Sequence, residues 1–203
     1  MKEWANILLC VILVNQFWHP EDVFGKKLAF LAFKSSEHFQ PAGKMNDSQA
    51  LIEQFYTAFQ QRDYRQMATA YHPAATFRDA AFDLKNGKEV AAMWHMLCST
   101  GRDLQVVYRD VQADGQRGSA HWDARYTFTS TGRPVRNQID AAFEFQEGRV
   151  IRHVDTFSFW HWSRQALGPV GWLLGWSSFL QNKVRATAAA SLRKFIKEHP
   201  EYQ

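Results

Sequence analysis

Apolar residues follow two different periods along the chain. From Asn46 they recur at helical spacing, with Leu51, Ile52, Phe55, Tyr56 and Phe59 forming one stripe behind Asp47 or Ser48, either of which can cap the first turn. Asp63 can cap a second, short helix that ends near Tyr71, because His72-Pro73 takes the backbone out of the helical region. Residues 75–79 read as a short strand, and Gly87-Lys88-Glu89 opens a third helix through Val90, Trp94 and Leu97 to about Thr100, stopped by Gly101. Beyond Leu104 the period drops to two. It predicts strands over 104–111, 119–129, 135–145 and 150–160, with turns at Asp114-Gly115, Thr131-Gly132-Arg133-Pro134 and Glu147-Gly148. Helices first and an antiparallel meander after them predict an α+β domain at 45–160, in which helices pack on one face of a curved sheet.

The flanks are of different material. Residues 7–14 are an apolar run, short of the roughly 20 residues that span a bilayer, and Asn15-Gln16-Phe17-Trp18-His19-Pro20 offers no small-x-small cleavage site. Residues 1–44 therefore read as an extension that is poorly ordered or not translated, with Met45 as the alternative start. Residues 161–203 read as a Trp-rich hinge and an amphipathic helix, with Val184, Ala188, Leu192, Phe195 and Ile196 opposite Arg185, Arg193 and Lys197.

Composition narrows the possible functions. The 203 residues are 46% hydrophobic and 22% charged, as in a globular protein. Two cysteines, Cys10 and Cys98, make neither a disulfide framework nor a zinc site, which fits a reducing, cytoplasmic setting. The net charge of +4 lies in residues 160–203, whereas 45–159 is close to neutral. A nucleic-acid surface on the domain is therefore not expected. No glycine-rich phosphate loop, nucleophile elbow or Cys/His cluster is present, and His121, Asp123, His153 and Asp155 read as ion pairs rather than metal ligands, so neither a metal nor a cofactor is expected.

The chemistry-bearing candidates sit on the strands. In 119–129, Ser119, His121, Asp123, Arg125 and Thr127 share one face, opposite Ala120, Trp122, Ala124, Tyr126 and Phe128. The plainest reading of the first set is a solvated outer face. If Glu147-Gly148 are the two turn residues, Gln146 pairs with Arg149, Asp140 falls opposite Asp155, and Ala142 falls opposite His153. Opposed carboxylates beside His153 and Phe157 suit proton transfer. Asp79 ends a strand among apolar residues, as a turn residue or as a further carboxylate of that site. His72 and His95 read as a cap and a packing residue.

The order of elements, together with Phe55, Asp63, Tyr71 and Ala75-Thr76-Phe77-Arg78-Asp79, resembles the nuclear transport factor 2-like superfamily. That superfamily includes ketosteroid isomerase, limonene epoxide hydrolase and the SnoaL-like polyketide cyclases. The resemblance implies a cone-shaped curved antiparallel sheet, three N-terminal helices on its concave face, and a C-terminal helical extension. It places Asp79 where the isomerase keeps its general base and Ile139-Asp140 where it keeps a protonated aspartate, while the isomerase tyrosine falls on Phe55. Against the epoxide hydrolase, Asp155 takes the place of the final-strand aspartate, and His121-Trp122-Asp123 that of an Arg-x-Asp pair. Phe159-Trp160-His161-Trp162-Ser163-Arg164-Gln165-Ala166-Leu167-Gly168-Pro169 resembles SnoaL-like proteins of bacteria.

Two readings follow. In the first, the domain binds a small hydrophobic molecule and carries out cofactor-free acid–base catalysis, as an isomerase, cyclase or epoxide hydrolase would. Asp79, Asp140, Asp155, His121, Asp123 and His153 would act, and Phe55, Phe59, Trp94 and Phe157 would line the pocket. In the second it is a non-catalytic ligand-binding or dimerisation module, with Trp122, Tyr126 and Phe128 packing a homodimer across the convex face. Contact of the tail with a membrane surface is a lesser expectation.

Overall fold

The computed structural model describes residues 47–203, which belong to one compact unit. The expectations for 1–44, including the 7–14 run, Cys10 and the start at Met45, lie outside the described residues. Two helices, α1 (Asp47–Gln60) and α2 (Tyr64–Thr69), lead into strand β1 (Tyr71–Arg78) and the two-residue β2 (Asp83–Leu84). Helix α3 (Gly87–Thr100) follows, then β3 (Gln105–Ala113), β4 (Arg117–Phe128), β5 (Arg133–Gln146) and β6 (Arg149–Thr156). Three further helices, α4 (Phe159–Leu167), α5 (Pro169–Leu174) and α6 (Ser178–Glu198), precede a 3₁₀ turn, Pro200–Tyr202.

Local sequence explains the helix boundaries. Asp63 caps α2 through Gln66 N–H at 3.0 Å, Asn86 caps α3 through Glu89 N–H at 2.9 Å, and the Gly101 N–H closes α3 on Leu97 C=O at 2.9 Å. The α1 stripe buries Ile52, Phe55, Tyr56, Ala58 and Phe59 against the sheet, joined by Val90, Met93 and Trp94 of α3.

The strands form one curved, unclosed sheet in the order β2-β1-β6-β5-β4-β3. The α+β cone is as expected, but the sheet is larger than a four-stranded meander and is not wholly antiparallel. β1 starts at Tyr71 and pairs in parallel with β6, setting Phe77 beside His153 and Arg78 beside Val154. The last strand ends at Thr156 rather than near residue 160. There the Ser158 hydroxyl accepts from His161 N–H at 3.3 Å and opens α4.

Two expectations about faces change. Ala120, Trp122 and Ala124 of β4 are buried in the core, with Trp122 packed on Tyr56 and Phe59 at ring distances of 6.1 and 5.5 Å. Trp122, Tyr126 and Phe128 thus face the helices and cannot form a convex dimer surface. Glu147 and Gly148 make the expected turn, both with positive φ, and Gln146 pairs with Arg149. One bulge then shifts the ladder, because Phe145 pairs with Val150 but Glu144 pairs with Arg152. Asp140 therefore lies opposite Thr156, Ala141 opposite Asp155 and Phe143 opposite His153. Among the described residues no helix is long and apolar enough to cross a membrane.

Candidate functional site

The parallel β1–β6 register and the β5–β6 bulge together decide which acids meet. After the bulge, His153 and Asp155 point into the cone, 1% and 6% exposed. Asp79 follows the last β1 residue, just beyond the Arg78–Val154 pair, and comes alongside Asp155. Asp140, expected to oppose Asp155, is instead on the outer face.

His153 is the centre of a directed chain of hydrogen bonds. Its Nε2 lies 3.0 Å from Asp155 Oδ1, its Nδ1 lies 2.7 Å from the Tyr71 hydroxyl, and Trp94 Nε1–H donates to that hydroxyl at 3.0 Å. A carboxylate only accepts, so Nε2 carries the imidazole proton and Nδ1 accepts from Tyr71 O–H. The chain thus ties Trp94, Tyr71, His153 and Asp155 into one buried hydrogen-bonded run. Trp122 Nε1–H adds a longer bond to the same Asp155 oxygen at 3.4 Å. Phe55, Phe77, Phe143 and Trp94 enclose the ring, with Phe143 at 4.2 Å and Phe77 at 5.0 Å between centroids. A low-dielectric shell of this kind makes each of these polar bonds costly to break.

Asp79 is set differently. Its Oδ1 accepts from Ala81 N–H at 2.7 Å and Phe82 N–H at 2.5 Å, so the sequence-level turn reading of this residue holds. Burial nevertheless raises its pKa from 3.8 to about 6, against those two donors, and the charge of Asp155 adds to the rise. A carboxyl with a pKa near 6 can both take and return a proton close to neutrality.

Two tyrosines border the carboxylates and were not singled out by the sequence. Tyr126 accepts from Trp162 Nε1–H at 2.9 Å, which leaves its own proton to donate; burial raises its pKa, and Asp79 adds to this. The Tyr56 hydroxyl is buried without a hydrogen-bond partner among the described residues, its pKa raised well above 10.0 by burial and then by Asp155. Both occupy positions on apolar faces of their elements, where the pattern shows the ring and hides the hydroxyl. Phe55, Phe59 and Trp94 lie in the main core, and Phe157 is partly buried where that core meets Val135 and Trp162.

The remaining predicted residues form a separate, outward network. His121 Nδ1 lies 2.7 Å from Asp140 Oδ1, and Asp123 Oδ2 lies 3.6 Å from both Arg109 and Arg136. The Asp140 side chain is 80% exposed. His121, Asp123 and Asp140 are therefore not part of the interior site, and the opposite faces of the sheet keep His121 and Asp123 from sharing a metal with His153 and Asp155. One other grouping, His95, His199 and Glu201, brings a ligand atom from each within 4.8 Å. Its rings are engaged in packing: His95 stacks on Tyr64 at 3.6 Å and bonds Tyr202, and His199 bonds the Phe195 carbonyl, holding the C-terminal turn on α3.

The C-terminal helices cover the Asp79 end of the cone. Arg185 Nε–H donates to Ala80 C=O at 2.8 Å, and Thr131 Oγ–H donates to Ala166 C=O at 2.6 Å. Two surface grooves lie elsewhere, one along α1 beside Glu53, Thr57 and Tyr108 and one beside His72, Lys88 and Tyr202.

Comparison with known proteins follows this geometry. Among curated proteins, none matches the chain. A candidate polyketide cyclase of Xanthomonas campestris pv. campestris superposes with a TM-score of 0.51 at 16% identity, over 59% of this chain and 96% of that one. A protein of Catenulispora acidiphila with a ketosteroid isomerase-like fold, solved with trimethylamine, gives 0.53 at 10% identity, over 60% and 95%. TsrD of Streptomyces laurentii gives 0.51 at 21% identity, over 60% and 96%. At these identities the likeness is one of fold. The SnoaL-like domain profile matches residues 52–153, from the α1 stripe to the buried histidine, and on that match the chain belongs to the SnoaL-like domain family.

Proposed function

We propose that this domain binds a small hydrophobic molecule inside the cone and performs cofactor-free proton transfer on it. Asp79 exchanges the proton; burial keeps it basic, and the charge of Asp155 adds to this. The observation that supports this most is the pairing of Asp79, raised to about 6, with Asp155 anchored on the Tyr71–His153 chain. Tyr126 and Tyr56, each with a proton not used among the described residues, are the donors for an oxygen that gains charge as the substrate loses its proton. His153 holds Asp155 in place through Nε2 at 3.0 Å and is the positioning residue of the site. An isomerase, a cyclase and an epoxide-opening enzyme all need this arrangement of base and donors, so the reaction is assigned here only to that class.

The test uses an apolar ketone in heavy water, following exchange of its α-hydrogens by NMR with the full chain. The expected rate rises with pH through about 6, because Asp79 accepts a proton only when ionised. His121→Ala and Asp140→Asn on the outer face leave that rate unchanged. The absence of any acceleration over solvent, across several apolar ketones and epoxides, would favour the second reading, a ligand-binding module without catalysis.

A further inference from the structure

Five of the large hydrophobic side chains that the described residues leave exposed fall within one short segment. Trp160 is 37% exposed, Trp172 60%, Leu173 58%, Trp176 78% and Phe179 61%. Soluble surfaces scatter such residues singly; a contiguous group marks a docking face. The group is held in place. The Arg164 guanidinium lies over Trp160 at 4.1 Å and over Trp172 at 4.7 Å, and Trp176 Nε1–H donates to Leu173 C=O at 2.9 Å. A Cβ at Gly171 would overlap the Ser163 carbonyl, so α5 rests backbone to backbone on α4 and the tryptophans stand on a rigid base.

Charge identifies the occupant. Between Asp155 and Glu198 the sequence has no acidic residue but has Arg164, Lys183, Arg185, Arg193, Lys194 and Lys197. Among the described residues Lys194 meets Glu198 at 3.9 Å and Arg185 is held on Ala80 C=O at 2.8 Å, which leaves Lys183, Arg193 and Lys197 of α6 outside any ion pair. A second copy would bring like charge against like charge. Leu173 and Phe179 offer a nucleic acid neither hydrogen bonds nor a basic groove. Indole rings with an embedded guanidinium and aliphatic neighbours match the boundary between anionic headgroups and acyl chains. We infer that the α4–α5 hairpin and the first turn of α6 dock this protein on an anionic membrane surface. The contact differs from the amphipathic helix suggested by sequence, since Leu192, Ala188, Phe195 and Ile196 of α6 are packed into the core and cannot lie in lipid.

The experiment is co-sedimentation of the full chain with vesicles of phosphatidylcholine alone, or with about one-third phosphatidylglycerol. Wild type sediments with the anionic vesicles, shows a blue-shifted tryptophan emission, and is released by high salt. The triple variant Trp172→Ser/Trp176→Ser/Phe179→Ser, whose positions are exposed and should leave the circular dichroism unchanged, binds on the order of tenfold more weakly or worse. Three results would overturn the inference. Wild type could fail to bind anionic vesicles. The triple variant could bind as wild type does, which would move the contact elsewhere, for instance to the apolar run at 7–14. Finally, the triple variant could abolish lipid-free self-association while leaving vesicle binding intact, which would assign the face to a second copy.

Discussion

Asp79→Asn lowers proton exchange by about two to four orders of magnitude, the usual contribution of a general base, while the domain stays folded. The amide keeps the oxygen that accepts from Ala81 and Phe82, so the turn after β1 survives. Stability changes in a way that depends on pH. The Asp79 pKa is raised on folding, so its protonated form favours the folded state; that contribution is full below the unfolded value of 3.8 and is lost as pH rises through about 6. Wild type should therefore lose stability relative to Asp79→Asn between those limits, and denaturant unfolding across this range measures the difference. Equal activity in the two proteins would remove Asp79 from the chemistry.

His153→Ala should destabilise the domain by about 3–5 kcal/mol. It opens a cavity among Phe55, Phe77, Phe143 and Trp94, and it leaves the Tyr71 hydroxyl and Asp155 without their partner. For a chain of this size the expected fall in Tm is about 6–20 °C. His153→Phe separates the two causes, since it fills the space and restores neither hydrogen bond; an intermediate loss is expected. If His153→Phe matches wild type in Tm, the polar chain contributes nothing to stability and packing alone explains the site.

Much of this architecture is legible in the sequence because it is local. Asp63 and Gly101 mark helix ends through backbone bonds within a few residues, and the Glu147-Gly148 turn follows from two positive φ angles. What was missed is non-local or a matter of one residue. The register shift between Glu144 and Phe145 leaves no mark in composition, yet it turns Asp155 inward, opposite Ala141 and away from Asp140. The parallel pairing of β1 with β6 brings Asp79 to Asp155 across most of the domain, and no turn between them signals it. Phe157-Ser158-Phe159 continues a period-two pattern and so reads as strand, although Ser158 is a helix cap. The face of β4 was open to misreading because both sides carry large side chains; only the helices packed on Trp122 decide it. His153 and Asp155 were legible as candidates, while Tyr71, Tyr56 and Tyr126 became site residues only once their hydroxyls had neighbours.

The central claim is that Asp79 and Asp155 act as a coupled pair, and carboxyl ¹³C NMR titration of Asp79 in the full chain tests it most directly. The account predicts a midpoint near 6, moving down in Asp155→Asn as the neighbouring charge is removed. A midpoint near 3.8, unmoved by that substitution, would contradict it.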